Sequence, residues 1–348
     1  MLCKINDSKE RYPNKQYIYS DMQNIDQTMR IAVVGATGLV GGTMLKVLEE
    51  RGFGGCTVFA AASERSVGKE VEFAGRKLKV MSVDEAIAQR PHYAIFSAGA
   101  TASRQYAPLF AEVGTTVIDN SSAWRKDADK PLVVPEINID VVRPDDRIIA
   151  NPNCSTIQMV LALSQLHRRY GIRRIVVSTY QSVTGTGMKA IRQLEAEEQG
   201  LPVDKAYPYP IHRNLFPHGG DWLPTGYTTE EQKLVDETRK ILRDPDILIS
   251  ATVARVPVVG GHSESVNVEF NEEYDLDEAR SIIAHTEGCV LFDDPATNTY
   301  PMPITAHHRD EVFVGRVRRD PSQPRTLIGA KVTRLTAERV SIPCVFGS

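Results

Sequence analysis

The sequence lacks several features that would place it in a specialised class of protein. Its 348 residues include only five cysteines, which are scattered and form no CxxC pair. This argues against a disulfide framework and a zinc site, and it favours a reducing cytoplasm. Lys and Arg number 41 against 44 Asp and Glu, so there is no basic excess for binding nucleic acid. Neither a 20–50-residue repeat nor a membrane-length apolar run is present.

The composition is that of an ordinary globular protein with roughly two domains. Hydrophobic residues make up 42% and charged residues 24%. Residues 1–28 are polar, without apolar periodicity, and have no apolar core of a signal peptide. We expect a disordered extension there, with the working protein starting near Met29.

Short apolar segments alternate with helical stretches in the first half of the chain. Such a pattern is typical of a parallel sheet covered on both faces, and hence of an α/β fold. The predicted strands are Arg30–Gly35, Thr57–Ala62, Tyr93–Ser97 and Thr116–Asp119, and the predicted helices are Leu39–Arg51 and Ala102–Val113.

The second half predicts an α+β domain with an antiparallel or mixed sheet, beginning near Asn151. The residues from Leu201 to Thr225 contain five prolines and form a loop too long for an ordinary connector. The predicted strands are Ile175–Val183, Ile247–Val258 and Ser263–Phe270, and the predicted helices are Met188–Gln199, Glu230–Leu242 and Asp277–Thr286.

A glycine-rich turn, GATGLVG at residues 35–41, follows the first strand and opens a helix. Glycines allow the backbone to approach a pyrophosphate, and the helix N-terminus offers free N–H groups. A tight turn without a ligand remains the alternative. After the second strand, Arg65 with Ser63 or Ser66 could hold a 2′-phosphate, which favours NADP. Glu64 keeps NAD open.

Cys154 lies in the segment ANPNCSTIQ, at residues 150–158, ahead of a helical stretch. A thiol at a helix N-terminus has a lowered pKa, so we predict a nucleophilic thiolate there. Asn153 could donate to a developing oxyanion. An inert buried thiol is the alternative. His262 follows two glycines after a strand and is a candidate proton acceptor, although a structural histidine stays open.

Seven blocks of the sequence resemble aspartate-semialdehyde dehydrogenase, especially its bacterial NADP-dependent branch. They span about Arg30 to Arg325. In order they are VVGATGLVG, DNSSAWR, VPEIN, ANPNCSTIQ, YQSVTGTG, RVPVVGGHSE and VFVGRVRRDPS. The resemblance implies an N-terminal Rossmann domain with a doubly wound parallel sheet over residues 29–150, and a catalytic and dimerisation domain over residues 151–325.

The resemblance also implies a reaction and a set of site residues. Cys154 would attack the aldehyde of aspartate 4-semialdehyde, and His262 would act as general base. NADP would take the hydride, and phosphate would release 4-phospho-aspartate. Substrate contacts are expected at Gln181, Glu230, Arg255 and Asn153, and phosphate contacts at Arg125 and Lys233. Cofactor contacts are expected at Gly35, Thr37, Gly38, Leu39, Val40, Arg65, Ser66, Thr184 and Gly185. An exposed ion pair is the alternative for Glu230 and Lys233.

The sequence departs from the family after Arg325. TLIGAKVTRLTAERVSIPCVFGS stands where the family has a helix with a glutamine that contacts the nicotinamide. We therefore expect residues 326–348 to form an atypical C-terminal segment. Two alternatives stay open: a catalytically impaired homologue that binds NADP, and N-acetyl-glutamyl-phosphate reductase. A homodimer with no metal, no nucleic-acid partner and no membrane partner is expected.

Overall fold

The computed structural model describes residues 25–307 and 309–333. The strands are β1 (Arg30–Val34), β2 (Thr57–Ala61), β3 (Glu70–Phe73), β4 (Arg76–Lys79), β5 (Tyr93–Phe96), β6 (Thr116–Asp119), β7 (Ile148–Ala150), β8 (Ile172–Gln181), β9 (Leu248–Arg255), β10 (His262–Phe270), β11 (Cys289–Leu291), β12 (Val312–Arg319) and β13 (Thr326–Thr333). The helices are α1 (Leu39–Glu50), α2 (Val83–Ala88), α3 (Ala100–Glu112), α4 (Pro135–Asn138), α5 (Cys154–Tyr170), α6 (Met188–Glu198), α7 (Thr229–Leu242), α8 (Leu276–His285) and α9 (Pro303–Ala306).

The first sheet is parallel throughout, in the order β2-β1-β5-β6-β7. Its central strands are apolar on both faces, and Ile31 to Val34 of β1 are fully buried. Side chains of α1 cover one face, and a core shared with α3 and α5 covers the other. The predicted Rossmann domain is confirmed, because a strand buried on both sides needs helices on both sides.

The second sheet is mixed and has the order β11-β12-β13-β10-β8-β9. The β8–β9 and β11–β12 pairs are parallel, and the other neighbours are antiparallel. Strand β10 alternates buried and less buried residues along its length, which is typical of a sheet with one face on a core. The predicted mixed sheet is therefore confirmed.

Two expectations about the termini need correction. Residues 326–333 are β13, which pairs with β10 and β12 in the interior of the second sheet, so the second domain extends past its predicted bound at residue 325. Residues 334–348 lie outside the described residues. At the other end, Ile25 packs against the core beneath α1, and the Gln27 amide donates to the Gly52 carbonyl at 3.3 Å. Residues 25–28 thus belong to the first domain, and residues 1–24 lie outside the described part.

Helix α5 lies in the core between the domains. Twelve of its residues are buried, and it contacts α4, α7, α8 and strands of the second sheet. The long loop of residues 201–225, described in full, has no helix or strand but is packed. Tyr207, Ile211 and Phe216 join one hydrophobic cluster with α6. The loop therefore forms a fixed wall beside the end of β9, where an isolated bridge joins Phe216 to Arg255.

Candidate active site

The glycine-rich turn is shaped by the absence of side chains. Gly35 has φ = +92°, and a Cβ there would lie 2.4 Å from the Ser97 carbonyl oxygen. A Cβ on Gly41 would lie 2.1 Å from the Gly35 carbonyl oxygen. Gly38 then caps α1 without a side-chain hydrogen bond, so the first-turn amides keep their donors for another partner. The turn fits the pyrophosphate of a dinucleotide, with Thr37, Leu39 and Val40 in the same turn.

The loop after β2 is a short 3-10 turn, Glu64–Ser66. Thr37 Oγ1 donates to Ser66 Oγ at 3.4 Å, which ties this loop to the glycine-rich turn. Lys69 Nζ also lies 3.4 Å from Ser66 Oγ. Arg65 is exposed beside it. Sequence reasoning missed Lys69; its position three residues after Ser66, across the same turn, was the available signal.

Cys154 is the first residue of α5, and Asn153 is the cap of that helix. The Asn153 Oδ1 accepts from the N–H groups of Ser155 at 3.0 Å and Thr156 at 3.4 Å. This is the arrangement expected of an asparagine cap. The Asn153 Nδ2 donates to Glu230 Oε2 at 2.9 Å. The amide that we expected to meet an oxyanion therefore also positions the helix.

The predicted lowering of the thiol pKa is wrong for this structure. The pKa of Cys154 is raised to about 12, first by burial and then by the Glu230 carboxylate. Arg125, Arg255 and the Ser155 N–H oppose this shift. The local argument counted the helix terminus but not the protein atoms packed around the sulfur, and desolvation disfavours the charged form. As a whole residue, Cys154 remains partly exposed.

His262 is buried at the first position of β10. The Ser182 N–H donates to its Nδ1 at 3.0 Å, so in the neutral ring the proton is on Nε2. That Nε2 has no hydrogen-bond partner among the described residues. A Cβ on Gly185 would lie 3.1 Å from it. Burial lowers the pKa of His262 to about 3, and Arg255 adds to this effect.

Gln181 and Arg255 end adjacent parallel strands, where they pair directly in the register of β8 and β9. Gln181 Nε2 donates to the hydroxyl of Ser155, next to the thiol, at 3.0 Å. Arg255 Nη1 donates to the Ser182 carbonyl at 2.7 Å. Its buried Nε has no hydrogen-bond partner in the described part of the chain. A buried guanidinium with a free donor edge suits a carboxylate.

Arg125 and Lys233 both line a cavity of about 220 Å³. Arg125 is buried and donates from Nη2 to the Asn120 carbonyl at 2.9 Å. Lys233 forms an ion pair with Glu230, and both side chains are largely shielded from solvent. The alternative of an exposed ion pair is therefore right about the contact between Glu230 and Lys233 and wrong about its exposure to solvent. Glu230 also accepts a hydrogen bond from Asn153.

The structure also identifies residues that the sequence reasoning missed. Ser182 donates to His262 from its backbone, and its Oγ donates to the Gly260 carbonyl at 2.9 Å. Glu237 accepts from Arg125 at 3.0 Å and from the Asn153 N–H at 2.6 Å. Spacing was the available signal for Glu237, because it follows Glu230 by seven residues on one face of α7.

The remaining predicted contacts fall into two groups. Thr184 Oγ1 accepts from the Gly260 N–H at 3.0 Å, so Thr184 and Gly185 line the same turn beside His262. The cofactor residues of the glycine-rich turn lie on the first sheet. Within residues 25–307 and 309–333, no group of three or more His, Cys, Asp and Glu side chains could hold a metal ion. In the same ranges no helix is long and apolar enough to span a membrane.

Comparison with known proteins gives two family models that match side by side. Residues 30–144 match the semialdehyde dehydrogenase NAD binding domain, and residues 163–332 match the semialdehyde dehydrogenase dimerisation domain. The second match includes nearly all of β13, in agreement with the sheet.

Full-length relatives match most of the chain. Aspartate-semialdehyde dehydrogenase of Aquifex aeolicus is 48% identical over 300 residues, covering 84% of this chain and 88% of the relative. The Bacillus subtilis enzyme is 42% identical over 306 residues, with the same coverage. A crystal structure of aspartate semialdehyde dehydrogenase II from Vibrio cholerae, complexed with ASA, superimposes with a TM-score of 0.87. Its sequence is 40% identical, and the match covers 91% of this chain and 97% of that one.

Proposed function

The chain belongs to the aspartate-semialdehyde dehydrogenase family, and we propose that it interconverts 4-phospho-L-aspartate and L-aspartate 4-semialdehyde with NADPH or NADP. The reaction belongs to the biosynthesis of lysine, methionine and threonine. The observation that carries the proposal is the place of the buried Arg255 guanidinium, whose charge acts on both the Cys154 thiol at the start of α5 and the His262 imidazole. Arg255 and His262 also meet beside Gly185. The ASA-bound relative from Vibrio cholerae supports this substrate class.

Cys154 supplies the covalent step in this proposal. Its sulfur attacks the acyl phosphate and the bond from the acyl carbon to the phosphate oxygen breaks. The leaving phosphate takes up the thiol proton, and a thioester remains on the enzyme. The glycine-rich turn would hold a nicotinamide dinucleotide, which would supply the hydride that reduces this thioester to a hemithioacetal on Cys154. Collapse of the hemithioacetal releases the aldehyde and restores the sulfur. Division of one difficult substitution into two steps is the advantage of a covalent intermediate.

His262 enters this cycle with its Nε2–H as a hydrogen-bond donor, suited to an oxyanion on the reacting carbon. To accept a proton at Nε2 the ring must first carry its proton on Nδ1. Ser182 Oγ lies 3.3 Å from Nδ1 and can accept from it in that tautomer. In that tautomer the Ser182 backbone N–H would face the Nδ1–H, donor against donor, so the geometry favours the ring with its proton on Nε2.

We assign each group of the substrate to a separate side chain of the site. Arg255 would hold the α-carboxylate through its free Nε edge, with Gln181 beside the thiol. Glu230 would contact the substrate amine. Arg125 would hold the phosphate with its buried Nε, which has no hydrogen-bond partner among the described residues. Lys233 lines the same cavity and would contact the phosphate too.

The finer cofactor and assembly assignments are also part of the proposal. Arg65 and Ser66 favour NADP over NAD, because a guanidinium beside a hydroxyl can hold a 2′-phosphate. We propose a homodimer, since residues 163–332 match a dimerisation domain. A reducing cytoplasm fits Cys56 and Cys154, which form no disulfide within the described part of the chain.

The test is phosphate-dependent reduction of NADP by aspartate 4-semialdehyde, catalysed by the full 348-residue chain. Wild-type protein should turn over, and Cys154→Ala should bind NADPH normally without turnover. A folded wild-type protein that binds NADPH but shows no turnover would support the impaired-homologue alternative. Turnover by Cys154→Ala would refute the nucleophile assignment.

A further inference from the structure

One buried carboxylate outside the predicted site contacts two of its essential parts. The Glu237 side chain is 3% exposed. Its Oε1 accepts from Arg125 Nη1 at 3.0 Å, and its Oε2 accepts from the Asn153 N–H at 2.6 Å. A buried carboxylate is retained only with strong partners. Here each oxygen has one partner, and the two partners come from different domains.

Two side chains of helix α7 accept hydrogen bonds from Asn153, the residue before the nucleophile. Glu237 holds the Asn153 backbone N–H, and Glu230, on the same face of α7, accepts from the Asn153 side chain. Asn153 in turn caps α5 through its Oδ1. The position of Cys154, the next residue, is therefore fixed by α7 as well as by its own helix.

The same carboxylate also fixes how Arg125 faces the cavity. Two bonds hold the Arg125 guanidinium by its terminal nitrogens, one to Glu237 and one to the Asn120 carbonyl. Its buried Nε has no hydrogen-bond partner in the described ranges. Arg125, Lys126 and Lys233 contribute cationic groups to the lining of this cavity.

We propose that Glu237 is a positioning residue that couples the phosphate-binding guanidinium of Arg125 to the N-terminus of the helix carrying Cys154. One oxygen orients the cation, and the other holds the peptide N–H before the nucleophile. Glu237 thus helps to set the distance between phosphate and sulfur. The phosphate part of this inference rests on the function proposed above.

A purely electrostatic role makes the opposite prediction. If Glu237 only neutralised Arg125, removing its charge would leave a more attractive cation, and phosphate would bind more tightly. Removing a negative charge would also favour the Cys154 thiolate and speed its alkylation. If Glu237 positions both groups, phosphate binding weakens and alkylation slows. The sign of each change therefore separates the two roles.

The test compares Glu237→Gln with Glu231→Gln. In the first variant the new amide oxygen could serve only one of the two donors, and the amide NH₂ would face the other. Glu231 is a matched control, since it is also buried on α7 and accepts two backbone bonds, from Thr228 at 2.7 Å and Val253 at 3.0 Å. Neither partner belongs to the proposed site.

We expect Glu237→Gln to raise the KM for phosphate about 10-fold or more and to slow iodoacetamide alkylation of Cys154 about 10-fold, from loss of charge-assisted hydrogen bonds. The KM for NADP and both readouts in Glu231→Gln should stay at wild-type values. A fall in phosphate KM, or faster alkylation, would overturn the proposal. Equal effects in the two variants would show a structural role and overturn it too.

Two further features of the experiment separate failure of the coupling from failure of the proposed function or of folding. Alkylation needs no turnover, so failure of wild-type turnover alone would count against the proposed function and leave the coupling testable. If Glu237→Gln does not bind NADPH, Glu237→Asp replaces it, because the shorter carboxylate keeps the charge but reaches one partner at most. If neither variant folds while Glu231→Gln does, Glu237 is a structural residue and the coupling is refuted.

Discussion

The cofactor end and the reactive end of the site are built by different physical means. At the cofactor end, seven consecutive residues form the turn. Its close backbone approaches depend on glycine at positions 35 and 41, where a Cβ would collide with backbone atoms. At the reactive end, the groups come from α5, α7, β8, β9, β10 and the loop after β6. Their decisive feature is buried charge. A turn of contiguous residues is specified locally, whereas a cluster of buried ions exists only after the chain has folded.

The protonation of Cys154 gives the largest expected effect in this comparison. Because the pKa of the thiol is raised to about 12, it is protonated at neutral pH. Only the thiolate reacts with iodoacetamide, so the rate should rise about 10-fold per pH unit, or about 1,000-fold from pH 7 to pH 10. Subtracting the rate of Cys154→Ala removes the other cysteines. A plateau below pH 9 would mean a preformed thiolate and would contradict the burial argument.

Gly41→Ala tests the cofactor end. The new Cβ would lie 2.1 Å from the Gly35 carbonyl oxygen, so the backbone must move, at a cost of about 3 kcal/mol or more. NADPH affinity should fall roughly 100-fold, measured by fluorescence titration. Gly42→Ala is the matched control, since nothing lies within 4 Å of its Cβ. Equal affinities in the two variants would argue against the close approach as the basis of binding.

Arg255→Lys tests whether planarity matters at the reactive end. Lysine keeps the charge but lacks the second donor edge, so we expect a loss of about 1.5–3 kcal/mol in kcat/KM for the aldehyde, roughly 10- to 100-fold. The exposed Arg173 offers a control on β8, with Glu269 as its partner; Arg173→Lys should leave the rate unchanged. A wild-type kcat/KM in Arg255→Lys would remove this residue from the site.

Arg65→Ala should give the smallest effect. The exposed guanidinium is expected to contribute about 1 kcal/mol to holding a 2′-phosphate, so NADP affinity should fall roughly 5-fold. Affinity for NAD serves as the internal control and should not change. A parallel loss of both cofactors would assign Arg65 to the fold of the loop and would reopen the question of NAD.

The two regions also differ in how well sequence reasoning anticipates them. Strands Arg30–Gly35 and Thr57–Ala62 end within one residue of their predicted bounds, because buried parallel strands and glycine turns leave local patterns. The prediction for the pKa of Cys154 was wrong, because burial by distant segments outweighs the helix terminus. Glu237 was missed because a glutamate in a charged helical stretch is usually solvent-facing, and its partners Arg125 and Asn153 lie far from it in the sequence.

The position of β13 inside the second sheet has a consequence for how this domain folds during synthesis. This strand lies late in the chain yet occupies an interior place in the second sheet, between β12 and β10. Its partner β10 precedes it by more than fifty residues, so the sheet stays incomplete until β13 has been synthesised. The first domain, with all its strands early in the chain, can fold during synthesis. The nascent second domain instead exposes an unpaired β10 edge, and that interval is where chaperone binding and mispairing should concentrate.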